Sequence, residues 1–139
     1  IASRGRGAQL NGHRIRVGDR RELIECLFGT GVPFLGHCDE HLDWYIQSLA
    51  AITSRSMGVR RAGAASLDLA YVAAGRLDGF WEMGLNEWDI AAGALLIREA
   101  GGLITDLSGG EGWYDSGNVV CANSKLMRQM LPLVKWSAA

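Results

Sequence analysis

The chain has 139 residues, enough for one sizeable core and within the usual single-domain range. Hydrophobic residues make up 48% and charged residues 21%, and the formal net charge is -1, so no global charge drives the chain toward nucleic acid or a membrane. No apolar run approaches the roughly 20 residues of a membrane span, and three widely spaced cysteines without a CxxC argue against a disulfide scaffold and for a reducing cytoplasm.

The start, Ile1-Ala2-Ser3-Arg4, has neither an initiator Met nor a signal-peptide apolar core, and reads as a chain beginning partway through a longer one. Asn11-Gly12 is a tight-turn signal ahead of the alternating Ile15-Arg16-Val17, which predicts a short hairpin. Six arginines (4, 6, 14, 16, 20 and 21) face one acid, Asp19, in this region. A nucleic-acid patch is weighed there and disfavoured: aromatic interleaving is absent, and a solvated strand face is commoner.

Residues 23–28 form a short apolar run read as a strand, followed by the glycine-containing loop 29–33. His37 and His41 are four apart, as two zinc ligands on a helix would be, but no HExxH order or third ligand accompanies them. The segment is read as a polar helix entrance. Helical spacing continues over residues 40–54, and a short strand is expected at 57–61. Gly63-Ala64-Ala65-Ser66 then opens a helix that ends at Gly75. Its tiny first-turn residues suit either close packing or the approach of an anion or hydroxyl to free N–H groups.

Residues 77–83 read as a strand that ends in Glu82, and the next helix runs over 87–100. Asn86 is placed to cap it, Glu87 and Asp89 put carboxylates in its first turn, and Gly101-Gly102 stops it. Its interior is almost wholly apolar, with small residues at 91–94, so it is expected to be buried nearly all round. A carboxylate at the mouth of such a helix requires water, a cation or a donor, which makes Asp89 either a functional candidate or a solvated first-turn acid. Residues 78, 82, 87, 89 and 99 are all acidic, with Arg98 the one base between 78 and 99; this local negative field suits a divalent cation. Strands at 103–105 and 119–122, a turn at 108–112 and a last helix capped by Ser124 complete an alternating α/β pattern.

The run from Gly63 through Gly79 (Gly-Ala-Ala-Ser-Leu-Asp-Leu-Ala-Tyr-Val-Ala-Ala-Gly-Arg-Leu-Asp-Gly), then Phe80-Trp81-Glu82, resembles one motif of the inositol monophosphatase family, of bacterial type. Trp88-Asp89-x-Ala91-Ala92-Gly93, through Glu99-Ala100-Gly101-Gly102, resembles a second, and Asn11-Gly12 and Ala122-Asn123 support the match. The resemblance spans essentially all of residues 1–139 and implies a single domain, the C-terminal half of such an enzyme. It implies an α/β layered sandwich of the sugar-phosphatase type (inositol monophosphatase/fructose-bisphosphatase-like), with this half contributing a mixed sheet and flanking helices. The family's Glu-Glu and Asp-Pro-x-Asp-Gly-Thr motifs, which supply most magnesium ligands, are absent, so the N-terminal metal-site half is missing.

By resemblance Asp89 is a magnesium ligand lying near a substrate hydroxyl, Glu82 binds substrate hydroxyls, and Gly63, Ala64 and Ala65 line the sugar pocket. Position 64 is more often Ser or Thr in the family. No catalytic residue is assigned to this half. The implied function is a Mg-dependent phosphomonoesterase acting on inositol monophosphate or a related polyol or sugar phosphate, as a cytoplasmic homodimer. Histidinol-phosphate, fructose-bisphosphate and 3′-nucleotide phosphatases share the metal logic. An interaction module binding transcription machinery or RNA stands as the alternative of a different class.

Overall fold

The structure is a computed structural model and describes residues 1–31 and 39–135. The pair His37 and His41, and Cys38, therefore fall partly or wholly outside the described residues. Asn11 and Gly12 both take positive φ, 52° and 80°, and join β1 (Ala8–Leu10) to β2 (His13–Ile15) in an antiparallel hairpin. Two consecutive positive-φ residues give the turn whose twist matches that of paired strands.

The expected strand at 23–28 is instead a 3-10 turn, Leu23–Glu25, followed by β3 (Leu27–Thr30). Apolar content alone does not separate these two outcomes; Leu23 is buried in either. Then come α1 (Asp39–Thr53), β4 (Gly58–Arg60), α2 (Ala65–Ala73), β5 (Gly79–Glu82) and α3 (Glu87–Glu99). The chain continues through β6 (Leu103–Thr105), the one-turn α4 (Trp113–Ser116), β7 (Val119–Ala122) and α5 (Ser124–Val134). Asn123, not Ser124, caps α5: its side-chain oxygen accepts from the Leu126 N–H at 2.8 Å.

Among the described residues, five strands form one mixed sheet in the order β4-β3-β5-β7-β6. β3 runs parallel to both β4 and β5, whereas β7 runs antiparallel to β5 and β6. Side chains alternate between the two faces, as the pleat requires. Phe80, Val119 and Cys121 pack under α2 and α3, while Trp81, Val120 and Ala122 pack under α1 and α5. The central strand β5 is covered on both faces, and Trp81 Nε1 donates to Ser48 Oγ of α1 at 3.0 Å. Cys26 and Cys121 are buried free thiols. Among the described residues no helix is long and apolar enough to cross a membrane.

α2 and α3 lie against each other at Gly93, where an added Cβ would sit 2.6 Å from the Leu69 side chain. The small residue is what permits this approach. Burial of α3 is less complete than its composition suggests. Ile90, Ala94 and Ile97 face the core, but Ala91 and Ala92 are exposed and Trp88 is 77% exposed. The outer side of this helix is apolar surface without a layer over it among the described residues.

Candidate functional site

The site forms where the parallel strands end. β5 delivers Glu82 on the α2/α3 side of the sheet, beside the end of β3 at Gly31. The first turn of α3 brings Asp89 toward the same place, and the Gly63-Ala64-Ala65 turn enters from the start of α2. Together with Arg61 these residues line an open pocket of about 320 Å³. All five positions singled out in the sequence, Gly63, Ala64, Ala65, Glu82 and Asp89, converge here.

Gly63 adopts φ +83°, a left-handed conformation that turns the chain from β4 into α2. Ala64 is the N-cap of α2 and has no side-chain oxygen to spend on the first-turn N–H groups. Among the described residues, no cap side chain takes those donors, which suits water or a ligand. In α3 the Asn86 N–H donates to Asp89 Oδ2 at 3.1 Å, one arm of a capping box. This bond fixes the carboxylate's direction and leaves Oδ1 for another partner.

Burial first, and then the charges of Asp68 and Asp89, push the Glu82 carboxyl up to about 7; Arg61 opposes them. A cation or a hydroxyl donor entering the pocket would favour the charged form and draw that proton off. Asp68, on α2 and 2% exposed, is itself pushed up to about 6 by burial. A raised folded-state value means the folded protein holds its proton more tightly than the unfolded chain. The associated stability is complete below about pH 4 and is lost as pH rises through about 6. Asp68→Asn is expected to gain on the order of 1–3 kcal/mol at pH 8 and to flatten the decline between pH 4 and 6. Urea denaturation of both proteins across that range checks this; an equal or lower stability of the variant at pH 8 contradicts it.

The field of five acids does not form one site. Only Glu82 and Asp89 reach the pocket. Asp78 sits at the opposite end of β5, where it accepts from the Leu27 N–H at 2.8 Å and pairs with Arg20 at 3.2 Å. Glu99 accepts from the Gly7 N–H at 2.8 Å, and Glu87 is exposed. Charge counted along the chain says nothing of which end of an element each acid occupies. Sequence reasoning missed Asp68, Arg61 and Gly31. An acid inside the apolar run Leu67-Asp68-Leu69 was the available signal for the first.

Carboxylate oxygens suit a hard divalent cation such as magnesium, and Asp89 Oδ1 fits as one donor. Among the described residues no group of three or more His, Cys, Asp or Glu side chains is arranged to hold a metal ion. The donor chemistry fits; the donors among the described residues do not complete a coordination shell.

A mixed sheet with helices packed on both faces is an α/β layered arrangement, as the sugar-phosphatase resemblance implies. The chain belongs to the inositol monophosphatase family, whose sequence model matches residues 1–137. It is 52% identical over 134 residues to a Nus factor SuhB of Pseudomonas aeruginosa, covering 96% of this chain and 49% of that protein. It is 50% identical over 132 residues to an inositol-1-monophosphatase of Mesorhizobium japonicum, covering 95% and 49%. The crystal structure of extragenic suppressor protein suhB from Bartonella henselae superposes with a TM-score of 0.91 at 43% identity, covering 96% of this chain and 50% of that one. The chain spans about half the length of the curated relatives it matches.

Proposed function

We propose that this chain is the C-terminal half of a magnesium-dependent phosphomonoesterase acting on inositol monophosphate or a related polyol phosphate. The observation that carries the reading is the convergence of Glu82, Asp89 and the 63–65 turn in one pocket. Glu82 is an acceptor for polyol hydroxyls: a carboxylate takes hydrogen bonds from two neighbouring hydroxyls, and its partial burial makes each bond count. The 63–65 turn offers backbone donors along the sugar side. Asp89, held by the Asn86 N–H, contributes one oxygen to the metal and lies near a substrate hydroxyl. Magnesium, when bound, supplies neutralisation of phosphate oxygens, activation of water and stabilisation of the departing alkoxide. Its other ligands would come from the part of such an enzyme that this chain does not span. A cytoplasmic homodimer completes the reading.

In the complete protein with magnesium, Glu82→Gln is expected to lower kcat/KM for inositol 1-phosphate by about 10–100-fold, the cost of losing hydrogen bonds to a charged acceptor. Hydrolysis of p-nitrophenyl phosphate, which has no polyol hydroxyls, is expected to fall far less. An equal loss on both substrates overturns the role of Glu82, and no phosphate release by the parent protein overturns the enzyme reading.

A second reading has its own support. Several relatives bear the name Nus factor SuhB, and the six arginines at 4, 6, 14, 16, 20 and 21 are exposed. An interaction module engaging transcription machinery or RNA would use such exposed arginines. A protein that retains RNA in a salt-sensitive way while releasing no phosphate favours this reading over the first.

A further inference from the structure

Gly31 stands at the end of β3, immediately beside the pocket, and its backbone gives no reason for a glycine. Its φ is outside the left-handed region, unlike that of Gly63. The reason is spatial. A Cβ built on Gly31 would overlap Oε1 and Cδ of Glu82 and lie 3.0 Å from its Cγ. The three nearest atoms such a methyl would meet all belong to that one side chain. The Glu82 carboxyl is laid directly over the bare Cα of the neighbouring strand.

The arrangement extends along β3. Gly29, two residues earlier, faces the same side of the sheet. A Cβ there would meet Leu77 Cδ1 at 3.0 Å, Phe80 Cδ2 at 3.2 Å and Asp68 Cγ at 3.5 Å. Gly29 is therefore closed in by the core, whereas Gly31 is closed in by the pocket's carboxyl. This difference decides what each substitution would do. At Gly29 a methyl meets two packed apolar side chains and the buried Asp68 carboxyl carbon, and tests packing. At Gly31 it meets the free end of a flexible side chain that reaches an open pocket, so the fold tolerates it and the carboxyl moves.

We propose that Gly31 is a positioning residue, whose missing side chain seats the Glu82 carboxyl and so sets where a polyol hydroxyl is received. This rests on the reading of Glu82 as a hydroxyl acceptor. With a methyl at 31 the carboxyl leaves its slot between β3 and β5 and swings into the pocket, narrowing the space beside Asp89. Substrates that present a ring of hydroxyls lose most; phosphate esters without hydroxyls lose least. Gly31 is in this sense a determinant of substrate selectivity that touches no substrate.

The test is Gly31→Ala in the complete protein, examined by crystallography and by kinetics on inositol 1-phosphate and p-nitrophenyl phosphate. The structure is expected to show an unchanged backbone with the Glu82 carboxyl displaced from its slot. The ratio of kcat/KM between the two substrates is expected to shift by about 10-fold against the inositol ester, through KM more than kcat. A carboxyl that stays in place, or a displaced carboxyl with an unchanged ratio, overturns the proposal. If the parent protein hydrolyses neither ester, the phosphatase reading fails. The crystal structure then decides the seat by itself: a moved carboxyl upholds it and an unmoved one overturns it.

Discussion

Asp89→Asn in the complete protein is expected to lower kcat for inositol 1-phosphate by about 10²–10⁴-fold while leaving the fold intact. Asparagine keeps the shape of the side chain and an oxygen able to accept the Asn86 N–H. What it removes is the negative charge. At the first turn of α3 that charge interacts with the helix dipole and the capping arm, and losing it costs stability of about 1 kcal/mol or less. At a metal the same loss is far larger. A hard divalent ion held by a neutral amide in place of a carboxylate is bound weakly and placed poorly, and the developing charge on phosphate and leaving oxygen goes uncompensated. Circular dichroism with thermal unfolding separates the two effects from the rate. A variant that folds normally and turns over near the parent rate removes Asp89 from the site.

The separation between stability and rate follows from where Asp89 stands. Its Oδ2 is engaged with its own helix, while its position lines the pocket with Glu82 across from it. Asp89 shares the pocket with a second carboxyl, whose ionisation it opposes. Like charges gathered at a strand end raise the free energy of the empty site, and a cation or hydrogen-bond donor lowers it again.

Much of this was legible in the chain because the signals were local. Asn11-Gly12 and Gly101 take the positive φ that their residue types announce, the helices at 39–53 and 65–73 follow apolar spacing, and that at 87–99 follows its cap as well. The misreadings have local causes too. Residues 23–28 carry the same apolar content whether they form a 3-10 turn or a strand, and α4, with four residues, is too short to show a helical period. Asn123 and Ser124 are both capping residues in succession, and only the hydrogen bond to Leu126 distinguishes them.

The site was legible to a different depth. Asp89 and the 63–65 turn were candidates on local grounds, and motif resemblance gave them and Glu82 their roles; the fold brings all of them to one pocket. The acids at 78, 87 and 99 were indistinguishable from them by charge alone. Asp78 turns out to hold Leu27 and Arg20, and Glu99 the Gly7 turn. Gly31 was unreadable for a stricter reason. A glycine needed by its own φ can be guessed from turn context, but one needed by a side chain 51 positions away requires the register of β3 on β5. Asp68 lies between these cases: an acid in an apolar helix announces a buried charge without saying what it faces.

The central claim is that the pocket carries the polyol side of a metal site whose remaining ligands lie on a separate half. It is tested most directly by magnesium-dependent phosphate release from inositol 1-phosphate, measured on this 139-residue chain alone and after mixing with the complementary half. One carboxylate does not hold magnesium in near-octahedral coordination, so the isolated chain is expected to give no turnover above buffer. The reconstituted protein is expected to release phosphate, and to stop when magnesium is chelated. Robust magnesium-dependent turnover by the chain alone would contradict the divided site, as would a reconstituted protein that binds both halves and releases no phosphate.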